Sequence, residues 1–181
     1  SIIPPTVQSF PVDTHFSKYN AHAHHSLTVK DFAQSINNYD GAKVLVSVPS
    51  SRILNRMIGQ TKLLSQLKDL GYDVLHITSK YGAYVNQTKV NRTTFFNTLK
   101  EWGCQTARKF IIFHYSILSE GINVSGLSHT LLLRNLNIVE MAQTIGRVIR
   151  LHKEDQQNIF SGLIPCGEYS LYRKSSGNCI I

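Results

Sequence analysis

The chain has 181 residues, 42% of them hydrophobic and 17% charged, a composition that excludes a disordered chain and suits a globular domain. Lysine and arginine total 19 against 11 acidic residues, and the net charge of +8 indicates either a polyanionic partner, most simply nucleic acid, or a generally basic surface. The three cysteines form no C-x-x-C pair, which argues against a disulfide framework or zinc site and favours a reducing, intracellular compartment. Apolar runs are too short to predict a membrane span, no secretory signal is visible, and the absence of an initial methionine suggests a piece of a longer or processed protein.

Residues 1–40 are heterogeneous, and we interpret them as an N-terminal linker that packs against the domain. Three prolines punctuate the start, and a histidine cluster follows in Ala21–His25. A solvated loop is the favoured interpretation of that cluster, although imidazole groups can also bind a metal. Ser26–Asn38 is predicted to be a helix, whose apolar positions are Leu27, Phe32 and Ile36.

A strand followed by a helix is predicted from residue 43 onward. The β-branched run Lys43–Val48 is typical of a buried strand, which Pro49 ends. A serine at the next positions is a suitable N-cap, and Gly71 is expected to close the helix. The predicted apolar face of this single helix comprises Ile53, Met57, Leu63, Leu64, Leu67 and Leu70.

The pattern then repeats. Tyr72–Ile77 is predicted as the second strand, and the polar stretch Thr78–Asn86 as a loop. A helix is expected over Lys89–Trp102, stopped by Gly103. Its inward positions are expected to be Phe95, Phe96 and Leu99.

The second half of the chain continues the alternation of strands and helices. Phe110–His114 and Thr130–Leu133 are predicted strands, Val139–Val148 a helix, and Asn158–Ile164 a last strand. Such alternation predicts an α/β fold with a mostly parallel sheet and helices on both faces. We assign this domain to residues 41–165 and a C-terminal extension to 166–181. Ligands of such sheets bind beyond the carboxyl ends of the strands.

Two motifs in this half carry the chemistry. Gln143–Arg150 reads Q-x-x-G-R-x-x-R, and arginines three apart on a helix form a guanidinium fork suited to a phosphate. Upstream, Tyr115–Asn123 carries a G-I-N triplet after a predicted strand. The pair resembles motifs VI and V, in that order, of superfamily-two helicases and translocases. The resemblance covers about residues 43–165 and implies their C-terminal RecA-like domain.

The resemblance implies roles in a nucleotide site shared between two domains. Arg147 and Arg150 would face the terminal phosphates of ATP as catalytic arginine fingers, and Gln143 would couple the nucleotide state to the helix. Gly121, Asn123 and Gly146 would contact the nucleotide. Asn123 stands where many relatives carry aspartate, so it would meet a ribose hydroxyl without negative charge.

The resemblance also implies a second group of residues, which would contact the nucleic-acid backbone. Loops that follow the predicted strands offer hydroxyl donors and cations, and backbone amides at a helix start favour anions. Contacts of this kind carry no base information, as a motor that steps along any sequence requires. The predicted residues are Ser50, Ser51, Arg52, Ser79, Lys80, Tyr115, Ser116 and Ser119.

The motifs look closest to the DNA-directed branch, which includes phage recombination helicases, DNA-repair translocases and restriction-enzyme motor subunits. No G-x-x-x-x-G-K-[S/T] loop or D-E-x-x pair occurs in the sequence, so ATP and Mg²⁺ would be held mainly by a partner N-terminal RecA-like domain. We expect an ATP-dependent helicase acting on DNA rather than RNA, with this chain alone inactive. The alternatives are a restriction-endonuclease motor and a non-catalytic nucleic-acid-binding module.

Overall fold

The computed structural model describes residues 6–8, 19–115, 126–133 and 178–180, with side chains described for 19–115 and 126–133. Within these ranges the helices are α1 (Ala21–Ser35), α2 (Ser51–Gln60), α3 (Leu63–Asp69) and α4 (Arg92–Gly103). The strands are β1 (Thr6–Gln8), β2 (Lys43–Ser47), β3 (Asp73–Thr78), β4 (Gly82–Val85), β5 (Thr88–Val90), β6 (Phe110–His114), β7 (His129–Leu132) and β8 (Asn178–Ile180).

The strands of the described ranges form one sheet in the order β1-β8-β7-β2-β6-β3-β4-β5. All pairs from β1 across to β3 are parallel, whereas β4 and β5 run antiparallel to their neighbours. The prediction of an α/β fold with a mostly parallel sheet is therefore confirmed. The antiparallel edge was not predicted.

Helices cover both faces of the sheet, as the sequence predicts. Val44 and Val46 of β2 pack into one apolar cluster together with side chains from α1, α2 and α3. Leu45, between them, points the opposite way into a second cluster that contains Phe95 and Leu99 of α4. The side chains of both clusters are almost fully buried. Because both faces of β2 are covered in this way, the strand is a continuous apolar run without polar alternation.

Helix α1 begins five residues before the predicted start, so the histidine cluster lies in its first turns and the prediction of a solvated loop is wrong. Phe32 is buried, as predicted, and Ile36 packs against the core just beyond the helix. Leu27 was expected to face inward but is 53% exposed. The helix instead buries Val29 and Ala33, which lie three residues before and one residue after Phe32. The boundary at residue 40 stays a prediction, although α1 contributes to the core.

The single helix predicted after Pro49 is two helices. Ser50 is the N-cap of α2, with its Oγ accepting a hydrogen bond from the Ile53 amide at 3.1 Å, so the predicted serine cap is confirmed. The break follows at Thr61, whose backbone is extended and whose Oγ1 donates to the Met57 carbonyl and accepts from the Leu63 amide. A β-branched hydroxyl residue thus competes with the helix for its own backbone groups.

Helix α3 ends as the sequence predicts, at a glycine. Gly71 has φ +87° and donates to the Lys68 carbonyl, and the Tyr72 amide donates to the Leu67 carbonyl. This arrangement is a Schellman motif, in which a glycine in the left-handed region satisfies the last carbonyls of a helix.

The polar stretch after β3, predicted as a loop, contains strand β4, which pairs with β3 and forms a β-hairpin with β5. Its turn is the pair Asn86-Gln87, with φ values of +46° and +69°, which fits a two-residue connection between twisted strands. Because β5 occupies Thr88–Val90, the next helix begins at Arg92 rather than Lys89. Phe95 and Leu99 are buried and Phe96 is half-buried against the same cluster.

Strand β6 has the predicted bounds, and β7 both starts and ends one residue earlier than predicted. The predicted helix Val139–Val148 and strand Asn158–Ile164 lie outside the described residues. Strand β8, within the predicted C-terminal extension, pairs with β7 and β1. No helix in the described ranges has both the length and the apolar character to cross a bilayer.

Candidate nucleic-acid interface

Three of the predicted contact loops meet at the carboxyl edge of the sheet. Strands β2, β6 and β3 are neighbours, and in their register Ser47 and Ile77 both pair with His114. The loops that follow these three strands therefore leave the sheet side by side. Residues from three separate parts of the chain are brought to one edge, as the sequence prediction requires.

The loop after β2 combines a helix start with a cation. Ser50 Oγ accepts the hydrogen bond that caps α2, and its O–H group can still donate to a second partner. Ser51 is the half-buried first residue of the helix, and Arg52 is exposed beside it. The amides of a first helical turn attract anions, and an exposed guanidinium adds charge to that preference.

The turn after β3 places its polar residues on the surface. Thr78 Oγ1 accepts a hydrogen bond from the Tyr81 amide at 2.9 Å, which fixes the turn. Ser79 and Lys80 are exposed at its tip. Lys80 Nζ lies 5.3 Å from the centre of the Tyr81 ring, within the range of a cation–π contact.

A buried polar pair lies beneath the two loops that follow β2 and β6. Ser47 Oγ and His114 Nε2 are 2.9 Å apart at the ends of adjacent strands, and the Val48 amide donates to the His114 carbonyl. This pair fixes where Tyr115, a half-buried residue packed against the core, leaves the sheet. Sequence reasoning missed the pair, although both apolar strands end in a polar residue and that shared ending was a usable signal.

A cleft opens on one face of the sheet next to this edge, with a volume of about 260 Å³. One wall is a stripe of α2 made by Ser51, Leu54, Asn55 and Ile58, which share a face at helical spacing. Thr78, at the end of β3, belongs to the opposite wall. The cleft therefore adjoins both the β2 and β3 loops.

The sheet wall of the cleft is aromatic. His76 and Tyr84 pair across β3 and β4, and their rings stack with centres 4.6 Å apart and planes 11° apart. Tyr81 and Gln87 complete the lining. Burial lowers the pKa of His76 to about 4, so the imidazole is neutral at physiological pH. None of these four residues was predicted to be functional. His76 lies in a predicted strand, and the stretch that carries Tyr81 and Tyr84 was predicted to be a loop.

Comparison with known families adds the deciding observation. The sequence matches the family described as helicase conserved C-terminal domain over residues 27–152. The chain belongs to this family. No curated protein sequence matches the chain.

As a helicase C-terminal domain, the chain is a nucleic-acid motor domain, and the matched range contains every predicted site residue. Six of those residues, at the loops after β2, β3 and β6, are in the described ranges and meet at one edge. The others lie outside the described residues, and their roles stay predictions. They are Ser116, Ser119, Gly121, Asn123, Gln143, Gly146, Arg147 and Arg150.

At the opposite, amino edge of this helicase domain, Lys43 and Arg108 bind groups of the protein itself. Lys43 is 3% exposed, and its Nζ donates to the carbonyls of Gly41 at 3.0 Å and Arg108 at 2.8 Å. Arg108 Nη1 contacts Asp73 Oδ2 at 2.7 Å, and its guanidinium stacks over Trp102. In the side chains described, no group of three or more histidine, cysteine or acidic residues is arranged to hold a metal ion.

Proposed function

We propose that this helicase C-terminal domain is the second motor domain of an ATP-dependent DNA helicase or translocase. The observation that carries the proposal is the meeting of three polar loops at the carboxyl edge of one parallel sheet. That edge is where ligands of open α/β sheets bind. Its exposed cations and hydroxyls suit an anionic strand, and the chain's net charge of +8 has the matching sign.

The proposed strand lies across the ends of β2, β6 and β3. Two strand spacings cover roughly 10 Å, which is about the axial rise of three nucleotides in one strand of B-form DNA. Arg52 and Lys80 would neutralise phosphates at the two ends of this span. The Ser50, Ser51, Ser79 and Tyr115 hydroxyls would donate to phosphate oxygens between them, together with Ser116 and Ser119. All these groups are indifferent to base identity.

The nucleotide side of the proposal rests on the Q-x-x-G-R-x-x-R motif. Arg147 and Arg150 would neutralise charge on the phosphates of ATP, with Gln143 linking that contact to the helix and Gly121, Asn123 and Gly146 beside the nucleotide. Bound ATP and Mg²⁺ supply the phosphoryl-transfer chemistry, and a second RecA-like domain would hold them, because this sequence has no phosphate-binding loop. Preference for DNA over RNA follows from the motifs' likeness to the DNA-directed branch.

The test is steady-state ATP hydrolysis by the full protein, paired with its partner RecA-like domain, with single-stranded DNA or RNA of matched sequence. Arg147→Ala should lower kcat by roughly 10³-fold or more, while the affinity for the strand stays near that of the unchanged protein. Arg147→Lys is the matched control for charge without the planar fork, and it should recover only a small part of the rate.

Three outcomes would contradict the proposal. Unchanged turnover in Arg147→Ala would remove the arginine-finger role. Stimulation by RNA but not by DNA would move the protein to the RNA-directed branch. Absence of any nucleotide hydrolysis in the assembled protein would leave a binding module that has the fold without the motor.

A further inference from the structure

The cleft between α2 and the paired strands β3 and β4 is chemically unlike the edge that it adjoins. Among the residues that line it in the described part of the chain, none is a lysine, arginine, aspartate or glutamate. Its one titratable imidazole, His76, is neutral because burial lowers its pKa to about 4. A phosphate in this cleft would lose its hydration and meet no cation, so the cleft suits an uncharged group.

The lining chemistry fits a planar heterocycle. The rings of His76 and Tyr84 stack on each other at the sheet side of the cleft, and a third planar ring placed on an outer face of this pair would extend the stack. Ile58, half-buried on α2, offers an apolar surface opposite these rings, whereas Leu54 is only 2% exposed. Aromatic rings stack on any nucleobase, because every base has a π-face, and stacking of this kind tolerates all sequences.

Amide and hydroxyl groups surround the stacked rings of His76 and Tyr84. Asn55 and Gln87 each carry both a carbonyl acceptor and an amide donor, and Thr78 and Tyr81 add hydroxyls. Such neutral groups can satisfy the polar edge of a base that enters the cleft. The volume of about 260 Å³ lies below the usual range for a drug-sized ligand and suits a single ring system.

The position of the cleft matches the shape of a nucleotide. Ser51 lines the cleft while its neighbour Arg52 is exposed at the edge, and Thr78 lines the cleft while Lys80 is exposed two residues later. Cations therefore lie at the rim of the cleft, and uncharged and aromatic groups line its interior. A nucleotide has the same division, with a charged phosphate and a neutral, flat base joined by a sugar.

We propose that this cleft receives one nucleobase of the strand whose phosphates lie along the carboxyl edge. The proposal rests on the proposed function, since it requires a strand at that edge. It adds base stacking to backbone contacts that alone would hold the strand only by its phosphates. The base is bound by its flat face, so the stacking is independent of sequence.

The test compares two single-stranded DNA probes of equal length and charge, one with all its bases and one with a central run of abasic sites. The full protein should bind the complete strand about tenfold more tightly, since stacking on aromatic side chains is worth roughly 5- to 150-fold per base. Tyr84→Leu should remove this preference by lowering affinity for the complete strand only. Tyr84→Phe, which keeps the ring, should retain it.

A second variant tests the cleft from the helix side, where the fold is more tolerant. Asn55 is exposed on α2, and Asn55→Trp should fill the cleft and abolish the preference for the complete strand. The matched control is Gln60→Trp, at an exposed position on the same helix that does not line the cleft. This control should keep the full preference.

The outcomes separate this inference from the proposed function. Equal affinity of the unchanged protein for both probes would overturn the cleft assignment while leaving the motor role intact. Retention of the preference in Asn55→Trp, with Gln60→Trp behaving alike, would also overturn it. Failure of the protein to bind either probe would instead remove the proposed function, and the cleft assignment with it.

Discussion

The two edges of the sheet use positive charge in opposite ways. At the amino edge, Lys43 and Lys109 point at backbone carbonyls, the latter also lying 4.2 Å from the centre of the Tyr72 ring. At the carboxyl edge, Arg52 and Lys80 are exposed. The net charge of the chain therefore says little by itself, because a cation's position relative to the sheet decides whether it stabilises the fold or is accessible to a ligand.

Helix polarity explains the difference. Helices α3 and α4 end near the amino edge, where their last carbonyls concentrate partial negative charge. Lys109 Nζ donates to the Leu70 carbonyl at 2.8 Å, at the C-cap of α3, and Lys43 Nζ donates to carbonyls in the loop after α4. Helix α2 begins at the carboxyl edge, where amides favour an anion. At the amino edge, Lys43 and Lys109 therefore bind backbone carbonyls of the protein. At the carboxyl edge, Arg52 and Lys80 would instead bind an external anion.

The largest predicted effect is a backbone substitution at the amino edge. Gly41 has φ +69°, and a Cβ added there would lie 1.8 Å from the Thr106 carbonyl oxygen. Gly41→Ala should therefore lower the free energy of unfolding by about 4 kcal/mol or more, combining a steric clash with an unfavourable backbone conformation. Chemical denaturation followed by circular dichroism measures this loss.

Gly59→Ala is the control for that substitution. It adds the same methyl group on α2, where a Cβ would meet nothing within 4 Å. Because alanine is a better helix former, this variant should gain roughly 0.5–1 kcal/mol of stability. Equal losses in the two variants would show that the amino edge is not packed as tightly as described.

The next effect is acid destabilisation through His129, the first residue of β7. Its ring lies edge-on to Phe32 and Tyr39, its Nδ1 is 2.7 Å from Ser128 Oγ, and burial lowers its pKa from 6.5 to about 4. The unfolded chain binds the proton more readily, so the stability that His129 contributes is complete above pH 6.5 and is lost as the pH falls towards 4. The loss is on the order of 3 kcal/mol.

Denaturant midpoints measured between about pH 7.5 and 4 test the assignment. The slope of stability against pH should flatten in His129→Asn, which carries no titrating ring. His76 also has a lowered pKa, so part of the slope should survive in that variant and shrink further in the double variant with His76→Asn. Burial also lowers the pKa of His25, which should leave a residual slope in the double variant. A slope untouched by either change would assign the acid sensitivity to other groups.

A smaller loss is expected when the buried amino-edge cation is removed. Lys43→Met keeps the aliphatic stem but leaves the Gly41 and Arg108 carbonyls without their charged donor. The expected loss is about 1–2 kcal/mol, because an ammonium no longer has to be desolvated and this offsets part of the lost hydrogen bonding. Lys89→Met, on the exposed edge strand, should change stability by less than about 0.5 kcal/mol. Thermal melts of the two variants make the comparison.

Much of the arrangement of strands and helices could be predicted, because its signals are local. The apolar runs of β2 and β6 and the serine cap of α2 are each readable from a few neighbouring residues. The break at Thr61 was missed, since its cause is a hydroxyl that competes for the Met57 carbonyl. The hairpin was missed because Asn86-Gln87 lacks the glycine that usually marks such a turn, although both residues adopt positive φ.

The carboxyl edge was predicted in part. A strand end followed by a helix start or a polar turn indicated Ser50 and Lys80 correctly as residues of one edge. The cleft could not be predicted, because it depends on the cross-strand pair of His76 and Tyr84. That pair exists only when β4 lies against β3. A local sequence pattern predicts which residues follow a strand. The surface between two elements depends in addition on how their residues align, and a local pattern does not contain that information.

The smallest effect on stability should come from the carboxyl-edge cations, and it sharpens the contrast most. The double variant Arg52→Ala with Lys80→Ala should melt within about 0.5 kcal/mol of the unchanged protein, because both side chains are exposed. Its affinity for single-stranded DNA should fall, and the slope of log affinity against log salt should decrease by about 1.4, since each phosphate that is no longer neutralised removes roughly 0.7.

Lys68→Ala with Lys100→Ala removes the same charge from the last turns of α3 and α4. That pair should lose some stability through the helix dipoles and leave the salt slope unchanged. Equal salt slopes in the two double variants would mean that the strand senses only total charge and not the edge at which the charge lies.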